Sequence, residues 1–250
     1  MFSCGGARAW PKGQDLRALL RNPVTAGSSR VRISPPAPSD AMVKILEVRQ
    51  NAPMVDAITE AASAIRAGGL VVYPTETVYG LGADAFSSKA ITKIFKIKGR
   101  ESKKPIPLAV NSINMARQIA ELTPAAEILF TKILPGPLMI VARAKPNVSK
   151  LITAGTGNVG IRVPDHPVAL KLIDFVGGPI TSTSANLSGK PAPRTVREAL
   201  EQLRGKVDVA LDAGKCKLGV PSTIVDATAR HLKILRKGPI SEKKIKKFLT

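Results

Sequence analysis

The sequence predicts an α/β fold in which short strands alternate with helices. Strand-like apolar runs recur along the chain, segments with helical periodicity separate them, and several of these segments begin at recognisable capping residues. The chain has 250 residues, of which 44% are hydrophobic, so it is long enough to bury a full core. Because no internal repeat is evident, one continuous domain is expected.

The individual elements can be assigned in order. The predicted strands are Lys44–Val48, Leu70–Tyr73, Leu138–Ala142, Gly160–Val163, Val207–Leu211, Thr223–Asp226 and Lys233–Leu235. The predicted helices are Met54–Ala67, Lys89–Lys98, Ser112–Leu122, Ala125–Leu134 and Val196–Arg204. Thr123 followed by Pro124 indicates an N-cap with proline at the first helical position, and Thr195 with Glu198 indicates a capping box.

Residues 1–41 differ in composition from the rest of the chain. They are rich in proline and arginine and contain only two acidic residues, Asp15 and Asp40. This composition predicts a disordered extension, followed by a folded domain over residues 42–250. An Arg-rich, acid-poor extension is typical of an organelle transit peptide, whereas Met42 directly before a predicted strand suggests a mis-assigned start. The lack of a clear amphipathic helix favours the second interpretation.

Composition narrows the classes of function. The formal net charge of +20 predicts attraction to polyanions, while an aromatic content of 4% is too low for a base-stacking platform. The apolar runs are far shorter than the roughly 20 residues that a membrane span needs. Cys4 and Cys216 suggest neither a disulfide framework nor a zinc site, which favours a reducing compartment such as the cytoplasm. His166 and His231 lie in no catalytic or metal motif and are expected to be structural or superficial.

Two familiar nucleotide motifs are matched only in part. Gly80, Gly82 and Ala85 have the spacing of a dinucleotide fingerprint, but the strand Leu70–Tyr73 ends well before them. The sequence around Gly189–Lys190 lacks both the first glycine and the final hydroxyl residue of a Walker A loop. Neither motif is therefore assigned.

Five polar segments lie at the ends of predicted elements. In residues 73–82, Pro74 ends a strand and two glycines would allow a ligand to approach the backbone, although a simple turn is the alternative. Residues 96–104 carry five cations, which either cap a helix or clamp a triphosphate. Residues 181–191 offer hydroxyls, an amide and backbone N–H groups suited to phosphate or carboxylate. The remaining segments are 220–226 and 234–238.

Together these segments resemble the YrdC/TsaC family of threonylcarbamoyl-AMP synthases, from Met42 to Thr250. The family's KxR and SxN tetrad is present as Lys98, Arg100, Ser184 and Asn186. The blocks YPTETVYGLG, PGP, IRVPDHP, SANLSGKPAP and PSTIVD follow in the family's order. The resemblance implies a twisted mixed sheet, flanked by helices, around a large basic cavity that holds ATP. A short form without the family's extra C-terminal domain is expected.

The resemblance also implies roles for individual residues. The tetrad would be catalytic. The implied ATP contacts are Arg100, Lys104, Asn158, Ser184, Ala192 and Arg236. The implied threonine contacts are Thr77, Arg162, Ser182 and Ser222. Ala109, Met139 and Ala192 depart from the residues frequent in the family, which puts the corresponding side-chain contacts in question.

The implied reaction joins ATP, L-threonine and bicarbonate into threonylcarbamoyl-AMP and pyrophosphate, for modification of tRNA at position 37. Mg²⁺ is expected to bind through the triphosphate rather than through protein ligands. A downstream threonylcarbamoyl transferase complex would take the product, and weak binding of tRNA or other RNA is an open expectation. Two alternatives are an RNA-binding module without ATP chemistry and a carbamoyl-adenylating domain of the hydrogenase-maturation type.

Overall fold

The computed structural model describes residues 43–48, 55–229 and 231–249, and the backbone of residues 31–33. The helices are α1 (Val55–Arg66), α2 (Ser88–Lys98), α3 (Ile113–Ile119), α4 (Pro124–Ile133), α5 (Lys150–Thr153), α6 (Pro167–Val176), α7 (Val196–Leu203) and α8 (Glu242–Lys247). The strands are β1 (Val31–Ile33), β2 (Lys44–Glu47), β3 (Val71–Tyr73), β4 (Gly80–Gly82), β5 (Leu108–Ala109), β6 (Ala120–Glu121), β7 (Leu138–Ala144), β8 (Asn158–Arg162), β9 (Ile180–Thr181), β10 (Thr183–Ser184), β11 (Val209–Asp212), β12 (Thr223–Asp226) and β13 (Lys233–Arg236).

The strands form two mixed sheets. One has the order β1-β2-β11-β3-β4-β10, and β11 runs parallel to both of its neighbours. The other has the order β13-β12-β7-β8-β5-β9, with β6 paired to β7. The predicted mixed α/β fold with flanking helices is confirmed, and its strands are divided between two sheets.

The chain passes from one sheet to the other between β9 and β10. Thr181 N donates to Ala83 O at 2.9 Å, and the next residue, Ser182, donates through its backbone N to Pro107 O at 2.7 Å. Ser182 is therefore held at the junction of the two sheets, with its Oγ 3.1 Å from the Tyr73 hydroxyl of β3.

Two apolar clusters form the core. In one, Ile58 and Ile65 of α1 pack with Leu172 and Ile173 of α6 against β3 and β11. The larger cluster buries apolar residues of α2, α4 and the central strands, including Ile94, Leu129 and Ile140. Helical spacing places these apolar side chains on one face of each helix, which is why they meet in the core.

Most predicted elements are present with small shifts in their ends. Thr123 caps α4 and Pro124 occupies its first turn, as predicted. The Thr195 side chain accepts from Glu198 N, but the Glu198 carboxylate accepts from Arg194 N, so the reciprocal half of the predicted capping box is wrong. The helix predicted to reach Leu122 ends at Ile119 because Ala120 and Glu121 pair with β7. Helix α6 and several strands of two or three residues were not predicted.

One observation concerns three residues of the N-terminal segment, whose boundary at residue 41 stays a prediction. Residues 31–33, within the segment 1–41 predicted to be disordered, form β1 and pair antiparallel with β2. The outer edge of β2 offers unpaired backbone groups, and a short β-branched run can satisfy them. The rest of that segment, Met42 and Met54 lie outside the described residues.

Candidate active site

A cavity of about 480 Å³ opens between the two sheets, within the size range of small-molecule sites. It is lined from the β3–β4 loop, β8, the β9–β10 junction, β12 and β13. Eight residues singled out from the sequence line it: Thr77, Arg100, Asn158, Arg162, Ser182, Ser184, Ser222 and Arg236. Thr77 and Arg236, the first and last of these eight, are 159 positions apart in the chain and meet around one cavity.

The charged residues of the lining are predominantly basic. Arg100, Arg162 and Arg236 all contribute to the wall, whereas Asp226 is the one acidic residue among the described lining residues. The Asp226 carboxylate already accepts from the backbone N and the hydroxyl of Thr228, at 2.9 and 2.7 Å. The cavity therefore suits anionic groups.

Arg162, at the end of β8, is held by a buried ion pair. Its Nη2 lies 2.5 Å from Glu76 Oε1, and both side chains are 6% exposed. Its Nη1 donates to Thr77 Oγ1 at 3.2 Å, and Glu76 Oε2 accepts from Asp165 N at 3.1 Å. The guanidinium is therefore fixed before any ligand binds, and its buried Nε has no partner in the described part of the chain.

Arg236, on β13, is fixed by the backbone of the segment before β12. Its Nε and Nη2 both donate to Ser222 O, at 3.0 and 2.7 Å. Gly238 packs so closely on this segment that an added Cβ would lie 2.5 Å from Thr223 N. Glycine is needed at 238 because of this backbone contact, which keeps Arg236 and Ser222 in register.

Lys98, at the end of α2, lies beneath the cavity wall and does not line it. Its Nζ donates to the carbonyl oxygens of Ser184 and Asn186 and, at 3.3 Å, to Asn186 Oδ1. These three acceptors match the three N–H groups of a charged ammonium. Burial, together with the nearby Arg100 charge, lowers the pKa of Lys98 to about 7. Lys98 thus anchors the Ser184–Asn186 loop.

Arg100 and the residues after it shape the cavity entrance. Arg100 donates to the carbonyl oxygens of Lys104 and Pro105, at 3.2 and 2.7 Å, and burial lowers its pKa. The Lys104 ammonium pairs with Glu101 at 2.8 Å and is 53% exposed. Lys104, Lys98, Asn186 and Ala192 are absent from the described cavity lining, so the structure does not bring these four predicted residues into the cavity.

Gly80 and Gly82 were expected to let a ligand approach the backbone, but in the structure they make room for the Tyr73 ring. A Cβ on Gly80 would lie 2.8 Å from Tyr73 Cζ, and one on Gly82 would lie 3.1 Å from Tyr73 Cδ1. Both glycines are in β4, where Gly80 is opposite Tyr73 of β3 and Gly82 is opposite Val71. They are needed because the Tyr73 ring lies across them. Residues 80–82 form a strand, so the alternative of a simple turn over residues 73–82 is wrong for this part of the segment.

Sequence reasoning also missed Glu76 as a site residue. Its buried pairing with Arg162 could not be read from spacing, because the two residues are 86 positions apart.

Of the departures from the family pattern, Met139 lines the cavity beside Gly160, where an added Cβ would lie 3.0 Å from the Met139 sulfur. Ala109 is fully buried in β5.

Two negative observations apply to the described residues. None of their helices has the length and apolar character needed to span a membrane. They contain no group of three or more His, Cys, Asp or Glu side chains that could hold a metal ion. His166 is buried and His231 is exposed.

Comparisons with known proteins place this cavity in context. The Sua5/YciO/YrdC family model, described as "Telomere recombination", matches residues 63–238. The chain is 40% identical to the threonylcarbamoyl-AMP synthase of Pyrococcus abyssi over 190 residues, which are 76% of this chain and 56% of that protein. It is 38% identical to the Bacillus subtilis enzyme of the same name over 190 residues, 75% of this chain and 55% of that enzyme. The chain thus spans about half the length of these two relatives.

Solved structures agree with the sequence matches. The structure of P. abyssi Sua5 complexed with L-threonine superposes with a TM-score of 0.79 at 38% identity, covering 82% of this chain and 60% of that one. E. coli YciO superposes with a TM-score of 0.75 at 25% identity, covering 82% of this chain and all of that one (100%). The sequence match and the shared architecture show that this chain belongs to the Sua5/YciO/YrdC family.

Proposed function

We propose that this chain is a threonylcarbamoyl-AMP synthase, a nucleotidyltransferase that acts on ATP, L-threonine and bicarbonate. The observation that carries the proposal is the convergence of three arginines and six hydroxyl side chains on one cavity, in a chain whose relatives bear that name. The two anionic substrates need such cations and donors to be held together.

We assign the two substrates to different parts of the wall. Arg162, Thr77, Ser182 and Ser222 bind threonine, and the Arg162 guanidinium supplies the positive charge for its carboxylate. Arg100, Asn158, Ser184 and Arg236 bind ATP. Lys98 and Asn186 act from behind the wall by shaping the loop that carries Ser184. Lys104 would reach the ATP site once its ammonium group breaks the ion pair with Glu101. Ala192 has no polar side-chain atom, so it would contact ATP only through its backbone.

The reaction needs no histidine or acidic dyad. The threonine amine attacks the carbon of CO2, or of bicarbonate with loss of water, and gives up a proton to form a carbamate. A carbamate oxygen then attacks the α-phosphorus of ATP, the bond to the bridging oxygen breaks, and pyrophosphate leaves. Fixed arginines stabilise the charge that moves onto the leaving group.

The remaining assignments rest on this reaction. The donor set of the cavity is cationic and hydroxylic, so Mg²⁺ would be held by the triphosphate oxygens rather than by a protein cluster. A threonylcarbamoyl transferase complex would consume the product to modify tRNA at position 37, which places the enzyme in the cytoplasm. Weak RNA binding would follow from the net charge of +20 alone.

Pyrophosphate release tests the proposal. The protein is incubated with ATP and Mg²⁺, with threonine and bicarbonate added singly and together, and then with each other amino acid. Rapid release is expected only with threonine and bicarbonate together, because the nucleophile is a carbamate that neither supplies alone. Serine should be poorer, since one methyl group is worth roughly 1 to 3 kcal/mol of discrimination. Equal release with ATP alone would contradict the proposal.

A further inference from the structure

Asp226 is the one carboxylate among the described residues that line the cavity. Both of its hydrogen bonds, from the backbone N and the hydroxyl of Thr228, end on Oδ1. Its other oxygen, Oδ2, has no hydrogen-bond partner among the described residues and is not buried. An ionised carboxylate oxygen only accepts hydrogen bonds, and it repels phosphate. Oδ2 therefore suits a hydrogen-bond donor of a ligand rather than its phosphate oxygens.

The strand register separates Asp226 from two of the cavity arginines. Arg236 of β13 is opposite the residue two positions before Asp226 on β12. In the other direction, Asp226 is opposite Val141 of β7, which is opposite Gly160 of β8, and Arg162 lies two residues beyond Gly160. Because β7 runs parallel to β12 and antiparallel to β8, both arginines lie on the same side of this row. Two residues of strand span about 7 Å, so the cavity has an arginine end and an Asp226 end.

An apolar surface, formed by Val141, Ile224 and Leu235, lies beside Asp226 in the cavity lining. A β-bulge after Ile224 inserts Leu235 into β13, so that Leu235 and its neighbour Arg236 both line the cavity. Consecutive residues of a regular strand would face opposite sides. Leu235 is 50% exposed. This surface offers nothing to phosphate, and it suits the flat face of a nucleobase.

We propose that the adenine base of ATP lies on this apolar surface with its 6-amino group donating to Asp226 Oδ2, and that Asp226 thereby selects adenine over a 6-oxo purine. The inference rests on the proposed function and deepens it. The triphosphate then points to the arginine end, where its charge is neutralised. The uncharged base occupies the end from which a carboxylate repels phosphate. Asp226 is thus a specificity-determining residue for the nucleotide.

Asp226→Asn tests this assignment, because it should change the base preference. Thr228 directs two donors at Oδ1, so the asparagine carbonyl oxygen must take that position and its NH2 group takes the place of Oδ2. A donor at that place opposes the 6-amino group of adenine and fits the 6-oxo group of inosine triphosphate.

The kcat/KM values for ATP and inosine triphosphate are measured in the pyrophosphate assay with threonine and bicarbonate. Wild type should prefer ATP about tenfold or more, and Asp226→Asn should lower this ratio about tenfold with the threonine KM unchanged. Asp56→Asn is the matched control. It removes the same charge from an exposed position in the first turn of α1 and should keep the wild-type ratio.

Several outcomes would overturn the inference. Wild type that uses inosine triphosphate as well as ATP would do so, and this measurement does not depend on the folding of a variant. An unchanged ratio or a lower ATP KM in Asp226→Asn would also do so, the latter because it would place phosphate beside Asp226. A loss of activity with 2′-deoxy-ATP that is absent in Asp226→Asn would move the hydrogen bond from the base to the ribose. Failure of the proposed function looks different, because wild type would then release no threonine-dependent pyrophosphate from ATP.

Discussion

Replacing Glu76 by glutamine tests whether the buried ion pair supports the cavity. Glu76 is the counter-ion of Arg162, with the two charged atoms 2.5 Å apart and both side chains 6% exposed. Its second oxygen accepts from Asp165 N. Glutamine has nearly the same shape but only one acceptor oxygen, so the change removes the charge and one of the two hydrogen bonds that the carboxylate accepts. Arg162 would then be a buried cation without a counter-ion.

The expected cost follows from this burial. Removing one partner of a buried pair typically destabilises a protein by about 3 to 5 kcal/mol, since the remaining charge is desolvated without compensation. Because glutamine retains one hydrogen bond to Arg162, we expect about 3 kcal/mol. For a chain of 250 residues this corresponds to a Tm lower by about 6 to 12 °C.

Thermal and urea denaturation measure this effect, with Glu242→Gln as the matched control. Glu242 also pairs with a cation, at 2.8 Å from Lys246, but the two side chains are 53% and 72% exposed. Solvent screens such a pair, so the control should leave the Tm unchanged. Equal Tm values for Glu76→Gln, Glu242→Gln and wild type would show that burial of the Arg162 pair contributes nothing.

Three further predictions follow from individual contacts. Gly80→Ala should destabilise the fold by about 1 to 3 kcal/mol in urea, because its Cβ would lie 2.8 Å from the Tyr73 ring. Gly178→Ala, with nothing within 4 Å of its Cβ, should be nearly neutral. Burial lowers the pKa of His166 to about 4, below its unfolded 6.5, so about 3 kcal/mol of stability should be lost as the pH falls from 6.5 to 4. Arg100→Ala should reduce turnover at least tenfold in the pyrophosphate assay.

Each of these has its own refuting outcome. Lys244→Ala removes the same charge as Arg100→Ala from an exposed helix and should keep full turnover; equal losses would mean that net charge alone matters. Equal urea midpoints for Gly80→Ala and Gly178→Ala would contradict the predicted effect of the contact between Gly80 and the Tyr73 ring. The loss of stability between pH 6.5 and 4 should be smaller in His166→Gln. If the stability of this variant falls with pH as steeply as that of wild type, other groups cause the loss.

The sequence predicted elements whose signals are local. The strand Thr223–Asp226 was predicted with its observed ends, since three β-branched residues stand between Ser222 and the polar last residue of the strand, Asp226. Helix α6 carries local signals that were not used, namely Pro167 in its first turn and left-handed Gly177 at its end. Strand β10 has only two residues, and its distant pairing partner β4, rather than local propensity, determines it.

The site was predictable by residue type but not by position in space. The basic and hydroxyl segments identified the wall, because anion binding demands those chemical groups. The sequence could not show that Lys98 lies behind the wall, since its contacts with residues 184 and 186 depend on the packing of α2 against that loop. Glu76 was missed because only the three-dimensional structure shows that its carboxylate pairs with Arg162.

The most direct measurement is identification of the product by mass spectrometry. The wild-type protein is incubated with ATP, Mg²⁺, L-threonine and ¹³C-labelled bicarbonate, with carbonic anhydrase omitted, and both nucleotide products and pyrophosphate are quantified. The account predicts threonylcarbamoyl-AMP that carries the one labelled carbon and forms in equal amount with pyrophosphate. An adenylate without the label, or ADP and phosphate in its place, would contradict the assignment of this cavity to carbamate formation and adenylyl transfer.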